Sequence, residues 1–125
     1  MESLLLPLLA AIALPTSEPV FALLPIVYIK DCYDGDTCTT LEGEKIRLAC
    51  INTPELKGFK AEPIPAKEAR DFINKLVADE EVSIKRVTND RYGRTVGELF
   101  KNDVNIQKLI VEKGYGKIYQ NYAYQ

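Results

Sequence analysis

Residues 25–51 read PIVYIKDCYDGDTCTTLEGEKIRLACI. Three runs rich in β-branched residues, 25–32, 36–41 and 45–51, are separated by Asp34-Gly35 and Glu42-Gly43, pairs that favour tight reversals because glycine accepts backbone angles other residues resist. The pattern predicts a three-stranded meander. With Gly35 as the apex, Cys32 and Cys38 lie symmetrically about the turn and face each other across two strands, close enough for a disulfide with modest adjustment. The same spacing also suits two reduced, small hydrophobic cysteines. Cys50 has no evident partner and reads as a free thiol in either case.

Downstream of the meander the periodicity changes. Ala66, Ala69, Phe72, Ile73, Leu76 and Val77 recur at intervals of three and four, with Pro65 suited to a first helical turn, so a helix starting near Pro65 is expected. Two strands follow near residues 82–87 and 95–100. A second helix over about 104–113 carries Ile106, Leu109 and Ile110 on one side and stops at Gly114. The order β-β-β-α-β-β-α, with a helix between the third and fourth of five strands, matches a five-stranded Greek-key OB barrel of the α+β class.

At 125 residues, 46% hydrophobic and 27% charged, the chain suits one such domain. Sixteen basic residues against 18 acidic give a net charge of -2, so no global cationic field attracts polyanions and any phosphate site has to be local. Histidine is absent. That removes Ser-His-Asp triads, Cys-His pairs and histidine zinc sites, and leaves proton transfer to carboxylates.

The first 22 residues differ from the rest. Residues 4–14 are uncharged and almost wholly Leu, Ile, Ala and Pro, too short for the roughly 20 residues that span a bilayer. An apolar segment, a proline-rich break and the ending Val20-Phe21-Ala22 fit a secretory signal cleaved after Ala22, although its start, Met1-Glu2-Ser3, lacks the usual Lys or Arg. The expected mature domain is 23–125, secreted or periplasmic and without stable membrane association. Its 16 acidic and 16 basic residues leave it neutral, since Glu2 and Glu18 go with the leader.

Four short motifs carry chemistry. Asp34-Gly35-Asp36-Thr37 sets two carboxylates on a turn, where both can face one hard cation. Ile46-Arg47-Leu48 puts a guanidinium in an apolar strand, an arrangement that makes sense when its head reaches water or an anion. Asn52-Thr53-Pro54-Glu55 offers an amide oxygen, a main-chain carbonyl and a carboxylate, acceptors that calcium favours. Asn89-Asp90-Arg91-Tyr92-Gly93-Arg94 makes a local basic patch. Each has a plain structural reading as an ordinary turn, strand exit or loop.

In this order and at these spacings, the four motifs resemble the staphylococcal nuclease (thermonuclease) family over roughly residues 27–122. The resemblance implies an OB-barrel phosphodiesterase, calcium-dependent, that cuts DNA and RNA with little sequence preference, with endonuclease action expected. It implies metal ligation by Asp36, the Asn52 side chain and the Thr53 main-chain carbonyl, with Asp34 in the outer shell. Glu55 falls on the residue that acts as general base or positions the attacking water. Arg47 and Arg94 fall on the two phosphate-binding arginines, and Arg91 and Tyr92 near terminal-phosphate contacts. Tyr119 or Tyr122 falls near aromatics that stack on the substrate base, with Gln120 at one such place.

Two departures from the family pattern stand out. Asn52 occupies a position where the family most often has Asp; it keeps an oxygen donor but removes a negative charge, so weaker calcium binding is expected. The family's usual third helix is also expected to be lacking, which would leave barrel surface exposed or covered by a partner subunit. Besides the nuclease, a second reading remains: a catalytically weak OB module that binds single-stranded nucleic acid through the basic loop and tyrosines. A carboxylate such as Glu55 beside bound phosphates repels them and argues for the enzyme.

Overall fold

The computed structural model describes residues 23–120. The expected signal segment 1–22 and Tyr122 lie outside the described residues, as does any segment that would follow residue 120. Strands β1 (Ile26–Asp34), β2 (Thr37–Thr40) and β3 (Lys45–Leu48) form the meander; helix α1 (Pro63–Val77) follows, then β5 (Glu80–Asn89) and β6 (Thr95–Lys101). Short strands β4 (Ile51–Asn52), β7 (Val104–Asn105) and β8 (Lys117–Ile118) and helix α2 (Ile106–Glu112) complete the chain. β1 pairs antiparallel with β2 and with β5, β2 with β3, and β5 with β6. A parallel ladder between β3 and β6, Arg47 opposite Val96, then joins the two outermost of these five strands and closes the barrel. This is the strand order of the OB fold.

Alternation along the strands fills the interior. Ile29, Ile46, Leu48, Ile84, Val96 and Leu99 are fully buried, each worth about 1.5–3 kcal/mol relative to exposure. α1 covers one end of the barrel with Ala66, Ala69, Ile73 and Val77, a single stripe at helical spacing. Its start differs from expectation by two residues: Pro63 opens the helix and Pro65 lies within its first turn, where a missing N–H forfeits no helical bond. The stacked rings of Phe72 and Tyr115, 4.5 Å apart, tie α1 to the turn after α2.

Three short elements were not anticipated. The third strand does not run unbroken from residue 45 to 51, because Cys50 adopts φ 69° and turns the chain; β4 instead pairs with β8. At the other break, Asn102 and Asp103 have φ of 50° and 65°, the paired positive angles of a two-residue hairpin turn. Residues 104–105 therefore return as β7 beside β6 before α2 begins. Asn105 caps α2, its side chain accepting from the Lys108 N–H at 2.9 Å.

Candidate active site

The β1–β2 turn carries the first two acids. Cys32 and Cys38 are directly paired in the ladder and joined by a disulfide, so the acidic turn is the tip of a covalently closed hairpin. Gly35 is buried, and a Cβ there would lie 2.8 Å from Ala69 Cβ and from Thr53 Cβ and Cγ2. Only glycine lets the turn settle against α1 and Thr53. The Asp36 N–H donates to Asp34 Oδ1 (3.1 Å). Asp36 Oδ2 accepts from the Thr53 N–H at 2.9 Å and stands 3.4 Å from an Arg47 terminal nitrogen, and Thr37 Oγ1 donates to Oδ1 at 3.2 Å. Burial, then the neighbouring Asp36 charge, pushes the Asp34 carboxyl up to about 7.

Arg47 projects from β3 with its head buried, and a guanidinium N–H donates to the Leu48 carbonyl at 2.6 Å. Together with the Asp36 contact this fixes the plane of the fork. Arg94 is fixed differently. Asp90 Oδ2 accepts from Arg94 Nε at 2.6 Å, and Asp90 Oδ1 accepts from the Tyr92 and Arg94 amides, both at 2.9 Å. Burial opposes ionisation of Asp90, but the Arg94 and Tyr92 hydrogen bonds outweigh it and hold the carboxyl below its ordinary value.

These groups converge. One cleft of about 380 Å³ is lined by Asp34, Asp36, Arg47, Asn52, Glu55 and Arg94, with Tyr119 at its wall. Among the described residues the Glu55 carboxylate has no ion-pair partner; the loop carrying it is tied back where the Glu62 N–H donates to the Glu55 carbonyl at 2.9 Å. Thr53 is buried and lines a smaller neighbouring recess instead. Its Oγ1 is a buried polar atom without a hydrogen-bond partner among the described residues.

Arg91 and Tyr92 do not line the cleft. They are exposed on the β5–β6 turn, where the Arg91 guanidinium donates to Tyr92 Oη at 2.7 Å and both Arg91 and Arg94 lie over the Tyr92 ring, 4.9 and 5.5 Å from its centre. Their contact with a cleft residue is the placement of the Arg94 guanidinium over the Tyr92 ring. Sequence reasoning overlooked Tyr33, Leu56 and Lys57, which line the cleft, and Asn74, and gave no role to Asp90, which holds Arg94. Tyr33 and Lys57 adjoin singled-out motifs, so proximity could have flagged them; Asn74 had no such signal.

No group of three or more His, Cys, Asp or Glu side chains able to hold a metal occurs among the described residues. The donor set at the cleft is of another kind: two Asp carboxylates, one amide oxygen and one glutamate, all oxygen and without thiolate or imidazole. That chemistry fits a hard cation such as calcium and not zinc. Arg47 and the Thr53 N–H engage Asp36 Oδ2, while among the described residues Oδ1 accepts only from Thr37 Oγ1 and keeps a lone pair for a cation.

A family model described as staphylococcal nuclease homologue matches residues 45–125. An uncharacterized endonuclease of Escherichia coli O157:H7 is 31% identical over 93 residues, 71% of this chain and 58% of that protein. An uncharacterized endonuclease of Haemophilus influenzae is 32% identical over 95 residues, 73% of this chain and 51% of the relative. Staphylococcal-like nuclease CAN1 of Arabidopsis thaliana is 35% identical over 79 residues, 62% of this chain and 23% of that protein. The chain thus spans about half the length of the two bacterial relatives and less of the plant one.

Proposed function

Because this chain belongs to the staphylococcal nuclease homologue family, we propose that it hydrolyses phosphodiester bonds in DNA and RNA with little sequence preference, using calcium. The observation that carries the reading is the meeting of Asp34, Asp36, Arg47, Asn52, Glu55 and Arg94 on one cleft. Four separate segments supply these side chains, three within residues 34–55 and the fourth at Arg94. Ordinary turns and strand exits have no reason to gather both signs of charge around one cavity.

Asp36, the Asn52 side chain and the Thr53 carbonyl would hold the cation, with Asp34 behind them. When bound, a divalent cation supplies positive charge that offsets the charge building on the phosphate oxygens. Arg47 and Arg94 grip the phosphate as planar forks; each is already oriented, by Leu48 and Asp36 in one case and by Asp90 in the other, so little ordering is left for the moment of reaction. Glu55 orients a water on the far side of phosphorus from the leaving oxygen and accepts its proton as the new P–O bond forms and the old one breaks, the departing oxygen taking a proton from solvent water. Tyr119 offers a face for a base at the cleft wall, and Tyr92 backs the Arg94 fork.

The Cys32–Cys38 bridge supports action in an oxidising compartment, and with it export from the cytosol. Among the described residues no helix is long and apolar enough to cross a membrane. The decisive experiment incubates plasmid and single-stranded DNA or RNA with the full chain in millimolar calcium or in chelator. Cleavage with calcium that chelator abolishes is expected. Intact nucleic acid at millimolar calcium overturns the enzyme, and retention of single strands without cutting would identify the binding module instead.

A further inference from the structure

We infer that the Cys32–Cys38 bridge and the side-chain amide of Asn74 are positioning groups for the acidic turn, holding Asp34 and Asp36 in register with the cleft. Breaking either loosens the site while the barrel stays folded. The inference rests on the reading of Asp36 as a cation ligand, and it adds the devices that place this ligand.

The need for such devices lies in the strand pairing. β1 is flanked by β5 only from Ile26 to Ile29; beyond Ile29 the β1–β2 hairpin extends past its neighbour. On its other side the β1–β2 ladder shifts register twice, between Ile29 and Asp31 and between Cys32 and Asp34. The ladder that normally fixes a hairpin tip is therefore irregular next to the acids. Two carboxylates on one turn also repel each other, which favours opening.

Asn74 takes the place of the missing strand. Its Oδ1 accepts the Cys32 N–H at 2.8 Å and its Nδ2 donates to the Cys32 carbonyl at 2.9 Å, so one amide satisfies both main-chain groups as a neighbouring strand would. The same Nδ2 donates to the Arg70 carbonyl of its own helix at 3.0 Å, which fixes the side chain. The bridge then passes this anchorage from β1 to β2. It closes a ring across a sequence separation of 6 that contains the whole acidic turn. So short a ring removes less unfolded-chain entropy than a long one does, and its effect is concentrated on the turn.

The test compares the native chain with Cys32→Ala/Cys38→Ala and with Asn74→Ala, reading amide hydrogen exchange residue by residue and calcium binding by calorimetry. A phosphine offers a third route: it is oxidised to its oxide with oxygen from water, and the two protons go to the two thiols. Expected is about tenfold faster exchange at residues 33–37, unchanged exchange at Ile84 and Leu99 in the barrel, and calcium affinity lower by about 10- to 100-fold, the usual effect of removing groups that orient metal ligands. Unchanged exchange at the turn overturns the inference. So does equal acceleration in the barrel, or a double variant that does not fold, because the bridge would then be a general staple. Unchanged calcium affinity in the variants also overturns it. If the turn alone loosens but the native chain binds no calcium, the clamp stands and the calcium reading falls.

Discussion

Gly35→Ala is the most direct test of how the acidic turn is seated. The added methyl would sit 2.8 Å from three atoms, Ala69 Cβ, Thr53 Cβ and Thr53 Cγ2. None is the free end of a long side chain, so backbone has to move. Gly35 is not among the positive-φ residues, which makes crowding the main cost. Overpacking costs about 1–3 kcal/mol, and three contacts with fixed atoms place this site at about 2–3. Restricting the unfolded chain returns about 0.4–1 kcal/mol. The net loss is therefore about 1–2 kcal/mol. With a urea m-value of about 1–2 kcal/mol per molar for a chain of this size, the unfolding midpoint should fall by about 1 M with the slope unchanged. The displaced turn carries Asp34 and Asp36 with it, so cleavage should fall more than stability alone explains when both proteins are assayed fully folded. A midpoint equal to or above that of the native chain would refute the claim that the turn packs directly on α1 and Thr53.

Three further outcomes are expected. Glu55→Gln should lower turnover by about 10²- to 10⁴-fold with the melting temperature unchanged, since Glu55 is exposed; an unchanged rate would remove Glu55 from proton transfer. Asn52→Asp restores a charge at the cleft and should tighten calcium binding in calorimetry, and weaker binding in that variant would contradict the ligand assignment. Glu44 accepts from Arg86 at 2.9 and 2.7 Å and from Thr95 Oγ1 at 2.7 Å. The Arg86 hydrogen bond holds its carboxyl below the usual value, outweighing the opposing effect of burial, with a lesser contribution from Thr95. A depressed acid contributes stability above its unfolded value of 4.5 and loses it as pH falls through the folded value. Glu44→Gln should therefore cost about 1 kcal/mol at neutral pH, and the difference from the native chain should vanish in strong acid; a difference that persists there would show that the ion pair is not its source.

The sequence made the meander, both helices and the barrel class legible because each rests on local signals: glycine turns, strand-like runs, and a three-and-four repeat ending at Val77. It also located the acids, Asn52 and both arginines of the cleft, since these sit on short motifs of unusual chemistry, but not Tyr33, Leu56 or Lys57. What it concealed depends on partners far along the chain. β4 and β8 are two residues each, too short for any period, and exist only because they meet. The hairpin turn at Asn102-Asp103 lacks the glycine that normally announces positive φ, so Val104 and Asn105 read as helix. No local signal marks Asn74; only the end of the β1–β5 ladder at Ile29 gives that amide its task. The resemblance puts Arg91 and Tyr92 near terminal-phosphate contacts; the structure sets them on the exposed turn beside the cleft, with Arg94 over the Tyr92 ring.

The parallel β3–β6 seam has a consequence for when the molecule becomes competent. Arg47 belongs to one side of that seam and Arg94 directly precedes the other. Both hairpins, β1–β2–β3 and β5–β6, can form without it, and a chain arrested at that stage would hold every side chain of the cleft but keep the two guanidinium groups apart. Non-local pairing of this kind is slow relative to hairpin formation. The proposed phosphate grip therefore depends on that seam, and a chain without it has none of the grip.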